Sequence, residues 1–469
     1  MDMSKDKISI LVFPEGKNRE DVYQNRLHIQ KREIDTLLRN LSVAFDVDVN
    51  SIPEIRSKRE GIQYAKAVNA SDSVAVVLYI PTFNHPVTVA HTARMITKPM
   101  ALVGNRAKDS LSQLGFLASS GALSQVGTNV KRVVSDGGDP AALGELKAWV
   151  RATKAYEELK GLTYGSIGGR SLGIATGTAN AAQWEKLFGI DIEQIDQLEL
   201  VTRANEIPKE KVERYCDQIC EKYGKVIFSK EGRFEESHLQ RMVASYLAMK
   251  DIITAYELDF CGIKCQTELS NGFCLQCLTI QLLNDPYDMD GIKPPVVCSC
   301  EADADGALSM QILKLISGGK PTALQDIASI TNNGLVLANC GSMASYFANL
   351  SEKPDENLSE VHLMPHGFGV AGGAATQFVC AAGTFTYMRM FRKDDQYYMG
   401  IFSGETEKRP RDAVKEYSPY RPTSFVQHKL DVDFFMETFC SNHLHCVQGN
   451  FVQELIEFCN IANISYYLY

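Results

Sequence analysis

Apolar and polar positions change period repeatedly along the first third of the chain. KISILVF (7–13), DSVAVVLYI (72–80) and PMALVGN (99–105) are short, nearly continuous apolar runs. That is the pattern of strands buried on both faces. VAFDVDV (43–49) predicts one more strand. Between them, EDVYQNRLHIQKREIDTLLRNL (20–41), EGIQYAKAVNAS (60–71) and VTVAHTARMIT (87–97) place apolar residues at helical spacing. Strands alternating with helices in this way make a parallel sheet with crossover connections. The expectation is a doubly wound α/β domain over residues 1–160.

A glycine-rich junction follows, LKGLTYGSIGGRSLGIATGTANAAQWEKLFGID (159–191). It contains neither G-x4-G-K-[ST] nor G-x-G-x-x-G, so tight turns around a strand and a helix start are preferred to a phosphate cradle. A second doubly wound α/β domain is expected over 161–340. The remainder, 341–469, is rich in Gly, Thr, aromatic residues and short apolar runs, and predicts a mainly antiparallel β domain.

Residues 294–326, PPVVCSCEADADGALSMQILKLISGGKPTALQD, predict strand, helix and strand. Asp303 or Asp305 is placed to cap the helix, and Gly318 and Gly319 to end it. If the two strands belong to one right-handed crossover, Glu301 and Asp326 emerge on the same sheet edge. Converging carboxylates repel unless a proton or a cation lies between them. Oxygen ligands favour Mn²⁺ or Mg²⁺, and one imidazole tilts the choice to Mn²⁺. Spacing alone leaves open whether the two acids share an ion or are separately solvated. Alternation in TFCSNHLHCVQGN (438–450) puts His443 and His445 on one face, as ligands or as core residues.

The chain has 469 residues, a net charge of −9 and 13 cysteines. No basic stripe suggests nucleic acid, and no apolar run is long enough to span a membrane. MDMSKDKISILVF lacks the features of a signal peptide, so a cytoplasmic protein with reduced thiols is expected. Cys261, Cys265, Cys274 and Cys277 invite a zinc reading. Cys274 and Cys277 instead fit core positions of one helix, as do Cys216 and Cys220 of another, and buried free thiols are preferred.

GGRSLGIATGTANAAQWEKLFGIDIEQIDQLEL (168–200), GIKCQTELS (262–270), CEADADGAL (300–308), ALQD (323–326) and SNHLHCVQGN (441–450) resemble segments of the L-fucose isomerase family, and more distantly of L-arabinose isomerases. The resemblance implies an aldose–ketose isomerase working through an enediol. It implies Glu301 and Asp326 as metal ligands and acid/base residues, and His443 as the third ligand. Gln266, with Asn442, is implied on the substrate side; His445 has no counterpart in the family's pattern and is expected there from its place beside His443. Mn²⁺, or another divalent cation such as Mg²⁺ or Co²⁺, is the implied cofactor, and a homohexamer with a monosaccharide substrate the implied assembly. GFLASSGALSQVG (115–127) resembles a segment that approaches a neighbouring subunit's site. FPEGKNREDVYQNR (13–26) differs from the family's arginine-rich sugar-gripping segment. The sugar is therefore fucose- or arabinose-like, or alternatively a C6-modified hexose such as sulfoquinovose. Arg19, Arg26, Arg56, Lys58 and Arg59 are available cations for a sulfonate, although solvated surface positions are the preferred reading. A non-catalytic sugar-binding protein is the second alternative.

Overall fold

Contacts divide the chain into two units, Met1–Lys154 and Ala155–Tyr469. The computed structural model describes residues 5–47, 52–135, 139–229 and 232–469. Among the described residues no helix is long and apolar enough to cross a membrane.

The first unit is built on a parallel sheet of β1 (Ile8–Val12), β2 (Ala75–Ile80), β3 (Met100–Asn105) and β4 (Lys131–Ser135), side by side in chain order. β2 is buried along its whole length, as its unbroken apolar run requires. Leu11, Leu78, Leu102 and Phe116 lie at the centre of the core. Two expectations are corrected here. Among the described residues of 43–49 no strand forms: α1 (Glu20–Ala44) runs through Val43 and Ala44, and Asp46 makes only an isolated bridge to Lys7. Residues 48 and 49 lie outside the described residues. The strand order also shows no reversal, so this sheet is parallel but not doubly wound.

The second unit contains a parallel sheet and a large antiparallel one. The parallel sheet comprises β5 (Thr163–Ile167), β6 (Asp191–Ile195), β7 (Phe260–Ile263) and β8 (Cys298–Cys300), in the order β8-β7-β5-β6. Winding reverses at β5, so β5 and β7 flank a topological switch point, where such sheets place ligands at the strands' C-terminal ends. The antiparallel sheet has seven strands: β9 (Thr322–Thr331), β10 (Gly334–Ala338), β11 (Gly383–Lys393), β12 (Gln396–Glu407), β13 (Thr423–Gln427), β14 (His443–Gln448) and β15 (Ser465–Leu468). Their order is β11-β14-β9-β10-β13-β12-β15, and an additional β11–β12 pairing closes the sheet on itself. Closure removes exposed strand edges.

The expected crossover over 294–326 does not form. β8 belongs to the parallel sheet, whereas β9 turns at Asn332 and Asn333 and pairs antiparallel with β10. This Asn-Asn-Gly sequence is a hairpin signal that outweighs the βαβ reading. The position expected as a domain boundary, 340, therefore falls beside β10, and strands from both sides of it share one sheet.

Candidate active site

α2 (Ala304–Ile316) connects the two sheets and orients most of the site. Asp303 caps it, accepting a hydrogen bond from the Gly306 N–H at 2.8 Å. At the other end Gly318 and Gly319 adopt positive φ and return N–H bonds to Leu315 and Lys314. The helix is buried on nearly every side.

Directly before it, Glu301 and Ala302 have φ of +60° and +49°. Two successive non-glycine residues in the left-handed region cost about 1–2 kcal/mol each. Such strain persists where the surroundings impose it, commonly at functional sites. Here the Ala302 N–H bonds to the Ile263 carbonyl at 3.0 Å. The kink turns the chain sharply at the C-terminal end of β8 and holds Glu301 there.

Asp326 and His443 arrive from neighbouring strands as register partners in the β9–β14 pairing. His443 Nε2 lies 3.4 Å from Asp326 Oδ1 and 3.6 Å from Glu301 Oε2. Asn442 Nδ2 is 3.4 Å from Asp326 Oδ1. Both carboxylates thus meet the same imidazole nitrogen, by a route through two sheets rather than one crossover.

Asp303, expected only to hold the helix start, has a larger part. Its Oδ2 is 2.7 Å from His443 Nδ1. The carboxylate can only accept, so Nδ1 carries the proton and Nε2 is left facing Glu301 and Asp326. The Arg389 guanidinium grips Asp303 with both terminal nitrogens, at 2.5 and 3.0 Å. Both residues are essentially inaccessible to solvent. Burial opposes the Asp303 charge, but Arg389 and then His443 hold its carboxyl far below the usual range. An arginine inside the apolar run TYMRMF was a readable signal for such a pair. Asp305 is structural: Tyr397 donates to it at 2.7 Å, and Trp184 Nε1 donates to Tyr397 at 2.7 Å.

The donor set fits a divalent cation on three counts. Glu301 Oε2 is buried without a hydrogen-bond partner among the described residues. Nε2 lies within 3.6 Å of one oxygen of Glu301 and 3.4 Å of one of Asp326, so an imidazole and two carboxylates face the same space, the donor types a hard divalent cation takes. The carboxylate behind His443 is the usual support of a metal-bound imidazole. Burial raises the Glu301 carboxyl, partly offset by His443.

Gln266 follows β7 at the switch point, with its carbonyl accepting from Ser171 Oγ at 3.1 Å. It thus lies on the same sheet edge as Glu301. His445 shares a face with His443, as alternation predicts, but is fully buried. A Cβ on Gly306 would be only 2.7 Å from its Nε2. It packs beneath the helix start, which is no position for touching a sugar.

The cysteines are free. The four considered for zinc are not gathered: Cys261 pairs in register with Cys298, while Cys277 lies with Cys340 and His366. Cys274 is in the turn before the helix Cys277–Asn284, not on it, although it is buried as expected. Cys220 is exposed rather than buried, on the solvent side of its helix. In the Cys277–Cys340–His366 group, His366 Nε2 already meets the Cys340 carbonyl at 2.7 Å and Nδ1 accepts from the Phe368 N–H at 3.3 Å. Both ring nitrogens are used, as in a satisfied core histidine.

Residues 337–469 match the family described as L-fucose isomerase, C-terminal domain. The sulfoquinovose isomerase of Priestia megaterium is 23% identical over 98% of this chain and 99% of its own length. That of Alkalicoccus urumqiensis is 24% identical over 70% of this chain and 69% of its own. The L-fucose isomerase of Haemophilus influenzae is 26% identical over 42% of this chain and 37% of its own.

Proposed function

We propose that the chain, an aldose–ketose isomerase similar to the L-fucose isomerase family, acts, with a divalent cation, on a hexose carrying a sulfonate at C6, such as sulfoquinovose. The relative matching nearly the full length of the chain bears that substrate's name. The observation that carries the chemistry is the convergence of Glu301, Asp326 and His443 Nε2.

Isomerisation moves one proton between C2 and C1, and another between their oxygens. Glu301 and Asp326 flank the space in front of His443 Nε2, so one carboxylate can take the C2 proton while the other handles the hydroxyl proton. Returning the first proton to C1 gives the 2-ketose through an enediol. Burial raises the Glu301 carboxyl, which moves it toward the range where a general base works at neutral pH. Glu301, Asp326 and His443 would hold the cation, which when bound supplies Lewis acidity toward the sugar's carbonyl oxygen. Mn²⁺ suits this mixed oxygen–imidazole set. Asp303 and Arg389 fix the imidazole, and Gln266, following a strand at the switch point, would meet the sugar hydroxyls.

The test is turnover of sulfoquinovose to sulfofructose after EDTA treatment and after Mn²⁺ is restored, with Glu301→Gln as control. Activity should vanish with EDTA, return with Mn²⁺ and be absent in the variant. An EDTA-insensitive or fully active Glu301→Gln enzyme sinks the proposal. Deuterium from solvent should enter the product at the carbon that receives the proton.

A further inference from the structure

Arg421 differs from the other arginines around the antiparallel sheet. Its Nε is buried, and among the described residues its guanidinium has no hydrogen-bond acceptor and no ion-pair partner. Arg389 and Arg392 also have a buried Nε without an acceptor, but their other nitrogens bond to Asp303 and to the Thr178 carbonyl. Arg411 bonds to Gln377 and to the Glu360 carbonyl. In the first unit, Arg19 pairs with Glu15 and Arg56 with Glu20, so two of the cations considered for a sulfonate are already neutralised.

The position of Arg421 follows from strand register. His443 pairs with Asp326, Asp326 with Ala338, and Ala338 with Thr423, one line across four adjacent strands. Two strand spacings separate Asp326 from Thr423, roughly 10 Å. Arg421 precedes Thr423 by two residues, in a turn closed by its N–H bonding to the Ser418 carbonyl at 3.2 Å. Its charge reaches Glu301 and acts to lower that carboxyl's pKa. The guanidinium lies 5.7 Å from the Tyr420 ring and 6.0 Å from that of Phe368. The His366 ring packs against both, at 5.0 and 4.1 Å. Tyr420 comes so close to Gly367 that a Cβ there would be 2.6 Å from its ring. The cation thus has a packed cluster of aromatic rings on one side.

A partly buried guanidinium lacking a counter-charge is a ready acceptor site for a tetrahedral anion, which it can meet with two parallel N–H bonds. Resting on the isomerase reading above, we infer that Arg421 grips the anionic C6 substituent of the substrate and sets the preference for a sulfonated over a neutral hexose.

The experiment compares the full-length Mn²⁺-loaded enzyme with Arg421→Gln and Arg421→Lys. It measures kcat/KM on sulfoquinovose and on the neutral aldoses D-glucose and L-fucose, with circular dichroism as the check on folding. Calorimetric binding of sulfoquinovose to Glu301→Gln protein, with and without the Arg421→Gln change, is the second readout. Charge-assisted bonds of this kind correspond to a loss of about 10–150-fold. The ratio of sulfonated to neutral kcat/KM should fall by roughly that factor in Arg421→Gln, chiefly through KM, and recover in part in Arg421→Lys. An unchanged ratio, or wild-type turnover of neutral sugars without the sulfonated one, overturns the inference while the isomerase reading stands. Wild-type protein that turns over no sugar but binds sulfoquinovose through Arg421 overturns the isomerase reading and supports the anion site.

Discussion

His443 Nδ1 lies 2.7 Å from Asp303 Oδ2, and this contact points the other ring nitrogen at Glu301 and Asp326. Asp303 is therefore a positioning residue that also neutralises Arg389 and caps α2.

Replacing it separates these duties. Asp303→Asn keeps the shape but leaves Arg389 buried without a counter-charge, which costs about 3–5 kcal/mol. It also frees the imidazole tautomer, which should weaken cation binding about 10–100-fold. Thermal unfolding reads the first effect and calorimetric Mn²⁺ titration the second. Normal Mn²⁺ affinity in a folded Asp303→Asn protein would remove Asp303 from the site.

Proton release gives a second prediction. Without a cation, burial works against the charge on His443, but the carboxylates of Asp303 and Asp326 outweigh it and raise its pKa to about 10. A raised histidine pKa adds stability that is complete below its ordinary value and disappears as pH climbs through the folded value. A cation takes the place of the Nε2 proton. Mn²⁺ binding should therefore release close to one proton per chain near neutral pH, and the affinity should rise by up to about tenfold per pH unit until His443 titrates. Calorimetry in buffers of different ionisation enthalpy counts that proton. A count near zero in wild type is incompatible with His443 as a ligand.

Gly306 is a tight point under the site. A Cβ there would lie 2.6 Å from Asp303 Oδ2 and 2.7 Å from His445 Nε2. Gly306→Ala, favourable for an isolated helix by about 1 kcal/mol, should instead destabilise this protein and lower turnover at least tenfold by displacing Asp303. Unaltered kinetics in Gly306→Ala would mean that the helix start does not hold the imidazole.

The strained pair can be tested without touching a reactive group. Ala302 has φ +49°, where glycine fits without steric cost. Ala302→Gly should raise stability by about 1 kcal/mol, visible as a higher Tm. A lower Tm would show that Ala302 gains more from its buried contacts than it loses to strain.

Much of this could be read from the chain, for reasons that differ by element. β2 and β3 were plain because unbroken apolar runs have few other fates. Glu301 of CEADADGAL and His443 of SNHLHCVQGN, singled out along the chain, lie side by side in the fold, whereas His445 is buried away from them under the helix start. Their assembly was misread because ALQD continues into a long strand whose partner is fixed by the following Asn-Asn-Gly turn. Helical period hid the end of α1, since Val43 and Ala44 serve a helix or a strand equally well. The double role of Asp303 was not legible: a helix cap is local, whereas Arg389 and His443 reach it from strands far along the chain.

That separation bears on how the protein is made. His443 follows Asp303 by 140 residues. At ordinary synthesis rates, roughly 7–28 s pass between their appearance from the ribosome. During that interval the nascent chain carries both carboxylates but neither the imidazole nor the strand that delivers it. On the divalent-cation reading proposed above, an ion would be acquired only after β14 closes against β9, and the finished site would answer to the metal available at release.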